Sequence, residues 1–490
     1  MEFSDDQAAA FDALTDLFAR AGVDLASGEV TAVSAAGREV FAITGKAGSG
    51  KTALLARLAE ELEEAGLRVV GGDYEPGRLR DKRSFAVLAP TNKAASVLRS
   101  RGVQATTIHR ILYIPVYDPE LEAIAKWLTE PGATRPEIED VSPEMLDRAQ
   151  AFYSREASIP GAMAAAGLKG SDFIKGWTRR DDPLDVALID EASMLDDKQF
   201  EDLKEIFSTL ILFGDPAQLA PVGQAGEMVF DKLPEERRQT LSRIHRQSED
   251  NPILDLAHAL KEGVEFDDFE REIERIAASD DRVVVAPRAD PDLMARAPML
   301  CWRNATRVRL IAGFRAAHGA PSHDLTPGEP LICDGVELPA KHRKKRVDLE
   351  ARGLIKGAQV VYLGGGRKAG FARIHVVGAQ TPTISAAAII KIEGPDLEEP
   401  IIPSAARMGA AFVHGAATTI HKAQGSQWPE VQVFVPDLFA AARSGREEAG
   451  APLWRRLAYV AVTRAQERLI WVTRWRLAKP GKPLGVADLG

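Results

Sequence analysis

The 490-residue sequence predicts an α/β fold built on parallel sheets, because short apolar runs alternate along it with helical patterns. In the first half of the chain these runs occupy 40–44, 85–89, 186–189 and 210–213. Each is rich in β-branched or aromatic residues and ends in a polar or glycine-containing loop, as buried parallel strands do. Ligands of such sheets bind at the carboxyl ends of the strands, so we expect the loops after these runs to converge on one site.

A second group of apolar runs, at 299–302, 431–435 and 469–472, predicts a second α/β lobe. A chain of 490 residues is too long for one hydrophobic core, and about three to four domains are expected. The sequence assigns 1–112 and 184–240 to the first lobe, and 241–325 and 413–490 to the second.

Two stretches interrupt this pattern and predict inserted domains. Residues 113–183 contain helical patterns, several aromatic residues and prolines, and lack the strand pattern, which predicts a mainly helical insertion. Residues 326–412 hold short apolar runs at 360–363, 372–377 and 384–392, separated by turn-forming segments. That spacing predicts a small antiparallel barrel.

Composition and charge indicate a soluble globular protein, with 45% hydrophobic and 27% charged residues. The acidic N-terminus has no apolar signal-peptide core, and no apolar stretch is long enough to span a bilayer. Cys301 and Cys333 form no CxxC pair, so we expect two thiols in a reducing cytoplasm. The net charge of −9 argues against electrostatic coating of duplex DNA, but it leaves open a local groove that grips one strand.

A phosphate-binding loop follows the first apolar run. The pattern Gly45-x4-Gly50-Lys51-Thr52 has its strand, glycines, lysine and hydroxyl in the order that this loop requires. Backbone N–H groups of the loop, including those of Gly48 and Ser49, bind phosphate oxygens together with the N-terminus of the next helix. We expect Lys51 to reach the β and γ phosphates of ATP and Thr52 to ligate Mg²⁺.

Two further loops supply the remaining groups for hydrolysis. Asp190 and Glu191 follow the run at 186–189, and we expect Asp190 to hold Mg²⁺ and Glu191 to orient and polarise the attacking water. Gln218 lies in the segment 214–222, where its amide can bond both the γ-phosphate and that water. The sequence therefore predicts a nucleoside-triphosphate hydrolase.

With the motifs that follow, the chain resembles superfamily 1 helicases, and most closely the RecD/Dda-like branch. Gln7 matches the motif that recognises adenine, and the runs 89–95 and 106–109 match nucleic-acid-contacting motifs. The segments 418–425 and 462–465 match the last two motifs of that family. His245 stands where many superfamily 1 helicases have a tyrosine that stacks on adenine, so weaker base stacking is expected.

The resemblance implies two RecA-like lobes with a helical and an SH3-like insertion, and a monomeric 5′→3′ motor on single-stranded and tailed or forked duplex DNA. It implies that Arg246 and Arg464 act as arginine fingers, and that Gln7, His245 and Gly425 bind nucleotide. It also implies strand contacts in both lobes, from Pro90, Thr91, Asn92, Thr107 and His109 in the first and from Asn304, Thr419, His421 and Lys422 in the second.

Three questions remain open at the level of sequence. These motifs do not separate a DNA helicase from an RNA helicase, because only contacts to the 2′-hydroxyl distinguish the two. A non-catalytic, strand-binding scaffold on the same fold is the other alternative, although the full set of hydrolysis residues argues against it. The basic run 341–346 is either a solvated face or a DNA contact.

Overall fold

The computed structural model describes residues 3–31, 38–46, 48–72, 74, 83–139, 141–157, 159–168, 174–219, 228–242, 251–321, 324–337, 348–394 and 409–485. Two separate parallel sheets and a closed barrel organise these residues, which confirms the predicted α/β fold. Among the described helices, none combines the length and apolar character that a membrane span requires.

The first sheet is formed by the N-terminal half of the chain. Its strands run in the order β2-β3-β7-β8-β1-β9, with β4 beside β3, and all the pairs are parallel. The elements of this half are α1 (Asp5–Arg20), β1 (Glu39–Gly45), α2 (Lys51–Glu64), β2 (Arg68–Val69), β3 (Ser84–Ala89), α3 (Asn92–Ser100), β4 (Ala105–Thr107), α4 (Ile108–Leu112), β5 (Tyr113–Tyr117), α5 (Pro119–Thr129), α6 (Pro143–Glu156), α7 (Ile159–Ala165), β6 (Ile174–Arg179), β7 (Leu184–Ile189), α8 (Asp197–Ile206), β8 (Phe207–Gly214) and β9 (Arg238–Leu241).

All four apolar runs predicted in this half are strands of the first sheet, namely β1, β3, β7 and β8. They are buried from both sides, because one apolar cluster packs helices α1, α2 and α3 on one face and another packs α4 and α8 on the other. Since β1, β8 and β7 are neighbours, their carboxyl-terminal loops lie side by side at one edge of the sheet. The loops after β3 and β4 lie next to them.

The insertion 113–183, predicted as mainly helical, contains two strands beside its helices, which its sequence pattern does not indicate. Strands β5 and β6 frame this insertion and pair antiparallel, from Tyr113 opposite Arg179 to Tyr117 opposite Ile174. Helices α5 to α7 lie between them and share a small core around Ile124, Leu146 and Met163. Neither strand shows an alternating apolar and polar pattern of its own. Each is stabilised by pairing with the other, about 60 residues away in sequence, and this pairing is not visible in the local sequence.

The second sheet and the barrel are formed by the C-terminal half. The sheet has the order β10-β21-β18-β11-β17 and is parallel throughout. The elements of this half are α9 (Pro252–Glu262), α10 (Phe266–Ala277), β10 (Val283–Ala286), α11 (Pro291–Met294), β11 (Met299–Cys301), α12 (Asn304–Ala317), β12 (Pro330–Glu337), β13 (Gln359–Gly365), β14 (Phe371–Val376), β15 (Thr383–Lys391), β16 (Gly409–His414), β17 (Ala417–Thr419), β18 (Trp428–Phe434), α13 (Val435–Arg443), β19 (Glu447–Glu448), β20 (Ala451–Pro452), α14 (Leu453–Val462) and β21 (Ala465–Val472).

Strands β12 to β16 close into the barrel that the spacing of 326–412 predicts, with one correction. One pair of consecutive strands, β15 with β16, is parallel, whereas the other pairs, including β12 with β16 that closes the barrel, are antiparallel. A parallel pair needs a longer connection than a hairpin turn, and the 17 residues between Lys391 and Gly409 supply it. The barrel shares one continuous apolar core with the second sheet, in which Leu331 and Phe412 of the barrel join Leu300 and Phe314.

A buried ionic cluster joins the barrel to the second lobe at the point where the chain enters and leaves the barrel. Glu329 precedes β12 and accepts hydrogen bonds from Arg315 Nε at 2.9 Å and from His414 Nε2, at the end of β16, at 3.0 Å. His414 Nδ1 accepts from the Ala416 N–H at 3.1 Å, so the imidazole is neutral with its proton on Nε2. Burial lowers the pKa of His414.

This cluster predicts that the protein loses stability as the pH falls below neutrality. The unfolded chain protonates His414 near its ordinary pKa of about 6.5 while the folded chain does not, so the unfolded state binds the extra proton. Burial opposes the charge on Glu329, but the hydrogen bond from His414 helps to lower the pKa of this carboxyl, and its contribution is lost at lower pH still. Denaturant midpoints measured between pH 7 and pH 5 should fall more steeply for the wild type than for His414→Gln. Identical slopes would contradict the assignment.

Candidate nucleotide site and strand-contact surface

The glycine loop between β1 and α2 has the backbone geometry of a phosphate cradle. Gly48 and Gly50 have φ angles of +88° and +81°, which favour glycine, and Gly50 caps the first turn of α2. At Gly45 an added Cβ would lie 2.5 Å from Ser49 Oγ, so the loop folds tightly onto the end of β1. The free N–H groups at the start of α2 therefore face the space above this loop.

Polar side chains of the loop fit a chain of phosphates. Lys51 Nζ donates to the carbonyls of Gly45 at 2.7 Å and Lys46 at 2.9 Å, which places its charge over the loop. Ser49 Oγ is buried and has no hydrogen-bond partner among the described residues, as expected for a hydroxyl that serves a ligand. Thr52, half-buried at the second position of α2, carries the hydroxyl predicted to ligate Mg²⁺.

The start of α1 lies against the glycine loop. Gln7 is buried; its Oε1 accepts from the Ser4 N–H at 3.1 Å, and its Nε2 lies 3.4 Å from the Gly50 carbonyl. Asp6 accepts from the Ser242 N–H at 2.8 Å and so holds the chain that leaves β9. His245 and Arg246, which follow that chain, lie outside the described residues.

The acidic pair and Gln218 lie together beside the glycine loop. Gln218 Nε2 donates to Glu191 Oε2 at 2.9 Å, and Ser193 Oγ donates to Gln218 Oε1 at 3.5 Å, which fixes the orientation of the amide. Glu191 has a φ angle of +53°, a conformation that a residue other than glycine adopts only when its surroundings enforce it. Burial, and then the Glu191 charge, raise the pKa of Asp190 to about 7. A carboxyl held in this way favours a cation beside it.

Helix α14 of the second lobe binds the Gln218 segment directly, a contact that sequence reasoning missed. Arg456 donates to the carbonyls of Pro216 at 3.1 Å and Gln218 at 2.5 Å, and the Tyr459 hydroxyl donates to Asp215 Oδ2 at 2.5 Å. Gln424 adds a bond to the Leu219 carbonyl at 3.3 Å. The available signal was the three-residue spacing of Arg456 and Tyr459, which places both on one helix face.

The predicted arginine finger Arg464 has partners within its own lobe. Its guanidinium is buried and donates to the carbonyls of Val460 at 3.0 Å and Ser426 at 3.1 Å, and to Thr463 Oγ1 at 3.0 Å. Its role at the γ-phosphate stays a prediction. The second lobe also presents Lys261 of α9, whose pKa is lowered by burial and by the positive charges of Lys46 and Lys51. The charge of Lys261 therefore interacts with the charges of the glycine loop.

In the first lobe, the predicted strand contacts lie at the ends of β3 and β4. Pro90 and Asn92 flank Thr91, whose Oγ1 accepts from the Ala94 N–H at 3.1 Å and caps α3. Thr107 ends β4 and precedes α4, which carries His109.

His109 also contacts the inserted ribbon of β5 and β6. Its imidazole packs edge-on against Trp177, with the two ring centroids 4.2 Å apart. The Trp177 side chain is nearly half exposed, so an aromatic surface adjoins these polar groups.

In the second lobe, the predicted strand contacts lie at the ends of the neighbouring strands β11 and β17. Cys301 pairs with Thr419, so Asn304 and the turn that carries His421 and Lys422 share one edge of the sheet. Thr419 Oγ1 accepts from the Lys422 N–H at 3.4 Å.

Gly425, predicted to bind nucleotide, lies against the first lobe. With a φ angle of +72°, it is placed so that an added Cβ would lie 3.1 Å from Thr91 Oγ1 and 3.3 Å from Ala94 Cβ. The contact surfaces of the two lobes therefore adjoin at this point, and the role of Gly425 at the nucleotide stays a prediction.

Burial lowers the pKa of both His109 and His421, and the charge of Lys356 adds to this effect at His109. Both imidazoles are therefore neutral at pH 7. As neutral groups they can contact a strand by stacking or by hydrogen bonding. Apart from Lys422, the predicted contact side chains are thus neutral, in keeping with the net charge of −9.

The structure has two parallel sheets, a glycine loop, an acidic pair and a glutamine whose backbone carbonyl is bound by the second lobe. Together these features define a two-lobed P-loop ATPase. Family models agree with this class. The AAA domain model matches residues 27–283, and the UvrD-like helicase C-terminal domain model matches 414–472. The chain belongs to the AAA domain family, and the two models together identify it as an ATP-driven helicase.

Solved structures of Pif1 helicases are similar to the chain over nearly its whole length. A structure of two coordinating Pif1 helicases at forked double-stranded DNA has a TM-score of 0.48 and 14% identity, and covers 96% of this chain and 92% of that chain. Pif1 from Candida albicans gives 0.47 and 15%, with 96% and 95% covered. Bacteroides Pif1 in complex with ADP-AlF3 and single-stranded DNA gives 0.46 and 14%, with 100% and 95% covered.

The contact between α14 and the Gln218 segment predicts a coupling defect in Arg456→Met. The substitution leaves the Pro216 and Gln218 carbonyls without their donor, and an unsatisfied buried group costs about 1–3 kcal/mol. We expect nucleic-acid-stimulated ATP turnover to fall about tenfold at saturating substrates. Arg455→Met is the matched control, because Arg455 donates to Gly263 and Val264 of its own lobe. Equal losses in both variants would contradict a specific role for Arg456.

Proposed function

We propose that this protein is an ATP-dependent 5′→3′ DNA helicase and translocase, which moves along single-stranded DNA and unwinds duplex. The observation that carries the proposal is the grip of Arg456 and Tyr459 on the segment that holds Gln218. Because a residue of the hydrolysis site belongs to one lobe and its support to the other, closure of the lobes and hydrolysis are mechanically linked. A simple nucleotide-binding domain has no need of this link.

Hydrolysis takes place at the interface of the two lobes. Lys51 binds the β and γ phosphates, Thr52 and Asp190 hold Mg²⁺, and Glu191 with Gln218 orients the attacking water. A Mg²⁺ ion held by Thr52 and Asp190 would supply positive charge against the charge that develops on the phosphates. Arg246 and Arg464 are the proposed arginine fingers, and Gln7, His245 and Gly425 complete the nucleotide contacts.

One DNA strand crosses both lobes at the carboxyl ends of β3, β4, β11 and β17. Its phosphates meet hydroxyl, amide and imidazole groups and the ammonium group of Lys422, which position a strand without reading its sequence. Single-stranded DNA and forked duplex are the proposed partners, in line with the complexes of the similar Pif1 proteins. The unequal grip of the two lobes during the ATP cycle then converts hydrolysis into steps along the strand.

The sheets and the barrel support the following domain division. The first lobe, 1–112 and 184–240, contains the insertion 113–183. The second lobe, 241–325 and 413–490, contains the insertion 326–412. The basic run 341–346, within the second insertion, lies outside the described residues.

We propose that the motor acts as a monomer in the cytoplasm. The two cysteines, Cys301 and Cys333, are buried free thiols, and burial raises the pKa of both, which suits a reducing compartment.

Unwinding of partial duplexes with a single-stranded tail tests the proposal. We expect ATP-dependent strand release from a DNA duplex with a 5′ tail, and none from one with a 3′ tail. Release only from the 3′-tailed substrate would overturn the polarity. Release from RNA but not from DNA substrates would overturn the choice of nucleic acid.

A further inference from the structure

Asn304, the proposed strand contact of the second lobe, has a buried arginine one helical turn away. Asn304 is exposed at the first position of α12, directly after the loop that ends β11. Arg307 Nε donates to Asn304 Oδ1 at 2.8 Å. The Arg307 side chain is only 8% exposed, so its guanidinium is not free to reorient in solvent.

This hydrogen bond determines which way the Asn304 amide faces. A guanidinium group has donors only, and the carbonyl oxygen is the only acceptor of a carboxamide. The Asn304 oxygen must therefore point toward Arg307, and its NH2 group points away from it. Because a phosphate oxygen only accepts hydrogen bonds, this is the orientation in which asparagine can bind a nucleic-acid backbone.

Two carboxylates hold the pair in place. The other arm of the Arg307 guanidinium pairs with Glu393, which follows barrel strand β15. At the start of α12, the fully buried Asp437 accepts from the Trp302 N–H at 3.0 Å and from Thr306 Oγ1 at 2.8 Å. The position of Asn304 is thus fixed by the second lobe, and the orientation of its amide by a residue that also binds the barrel.

We propose that Arg307 is a positioning residue that aims the Asn304 NH2 group at a phosphate of the bound strand, and that Glu393 ties this contact to the barrel. The proposal rests on the proposed function, because it concerns how the chain binds single-stranded DNA. A movement of the barrel that pulls on Glu393 changes the orientation of a strand contact in the second lobe. The barrel therefore influences the grip on the strand through Glu393 and Arg307.

The affinity of the full-length protein for a fluorescent single-stranded oligothymidylate, measured over a range of salt concentrations, tests the proposal. In Arg307→Met and in Asn304→Ala we expect about tenfold weaker binding, the loss of one hydrogen bond to a charged group. The slope of log K against log salt should stay unchanged, because Asn304 is neutral and releases no counterion. The double variant should bind no more weakly than Asn304→Ala alone.

Arg309→Met is the matched control, because Arg309 is exposed on the same helix and its replacement by methionine removes the same charge. Unchanged affinity in Arg307→Met would overturn the proposal. A slope shallower by about 0.7 would also overturn it, since Arg307 would then contact a phosphate itself. Losses that add in the double variant would show that Arg307 acts independently of Asn304, with the same consequence.

A second variant guards against misfolding of Arg307→Met. Glu393→Gln changes a half-exposed side chain, and we expect about a twofold to threefold loss of affinity that disappears in the Asn304→Ala background. A loss that persists in that background would overturn the link to the barrel. If the wild-type protein fails to bind the oligonucleotide at all, the proposed function fails instead, which the wild-type titration alone reveals.

Discussion

Replacing Lys51 by alanine is expected to lower ATP turnover by about 10²–10³-fold, the effect of removing one preorganised charged donor from a transition state. Lys51 Nζ lies over the glycine loop, bonded to the carbonyls of Gly45 and Lys46, and so stands where phosphate charge develops. Steady-state hydrolysis with saturating single-stranded DNA measures the loss.

Lys198→Ala is the control for Lys51→Ala, because Lys198 is an exposed lysine of α8. Turnover of this variant should match the wild type. Near-normal hydrolysis by Lys51→Ala would show that the glycine loop is not the catalytic phosphate site, whatever its geometry. An equal loss in both variants would point instead to a general effect of removing positive charge.

Glu191→Gln is expected to lower hydrolysis by about 10²–10⁴-fold while leaving nucleotide binding nearly intact, because it removes the proton acceptor and keeps the shape. The contact with Gln218, at 2.9 Å in the wild type, joins the two groups that orient water. Single-turnover hydrolysis and the affinity for a fluorescent ATP analogue separate the two effects. Loss of binding as large as the loss of hydrolysis would contradict the role assigned to Glu191.

A matched comparison for Glu191→Gln is available in the same segment. Asp196 caps helix α8 through the Gln199 N–H at 2.7 Å and lies after the acidic pair. Asp196→Asn keeps an oxygen for that cap and removes one negative charge, so its hydrolysis rate should stay within a few fold of the wild type. A defect comparable to that of Glu191→Gln would assign the effect to charge rather than to catalysis.

The sequence was most informative where local pattern and chemistry coincide. Strands β3 and β7 of the first sheet are almost entirely buried, so each is a continuous apolar run that stands out between polar loops. The glycine loop, the acidic pair and Gln218 follow such runs directly. Their convergence could be predicted from the rule that ligands meet at the carboxyl ends of parallel strands.

What the sequence did not reveal depends on contacts between distant segments. Tyr113 and Arg179 pair across a whole insertion, and the barrel contains a parallel pair, β15 with β16, whose register no spacing in the sequence encodes. The bonds from Arg456 to the Gln218 segment join residues about 240 positions apart. In the sequence, Arg307 and Arg456 look like ordinary arginines of amphipathic helices. Their roles become visible only from the residues that they contact in the structure.

The shared apolar core of the barrel and the second lobe limits how this protein can be dissected. A deletion variant that lacks the barrel and its flanking residues would remove His414, which packs against Phe314, and Glu329, which pairs with Arg315. Such a deletion would therefore report on misfolding rather than on what the barrel does. The barrel and the second lobe should unfold in a single cooperative transition. Point substitutions at exposed positions such as Glu393 are the informative way to separate their roles.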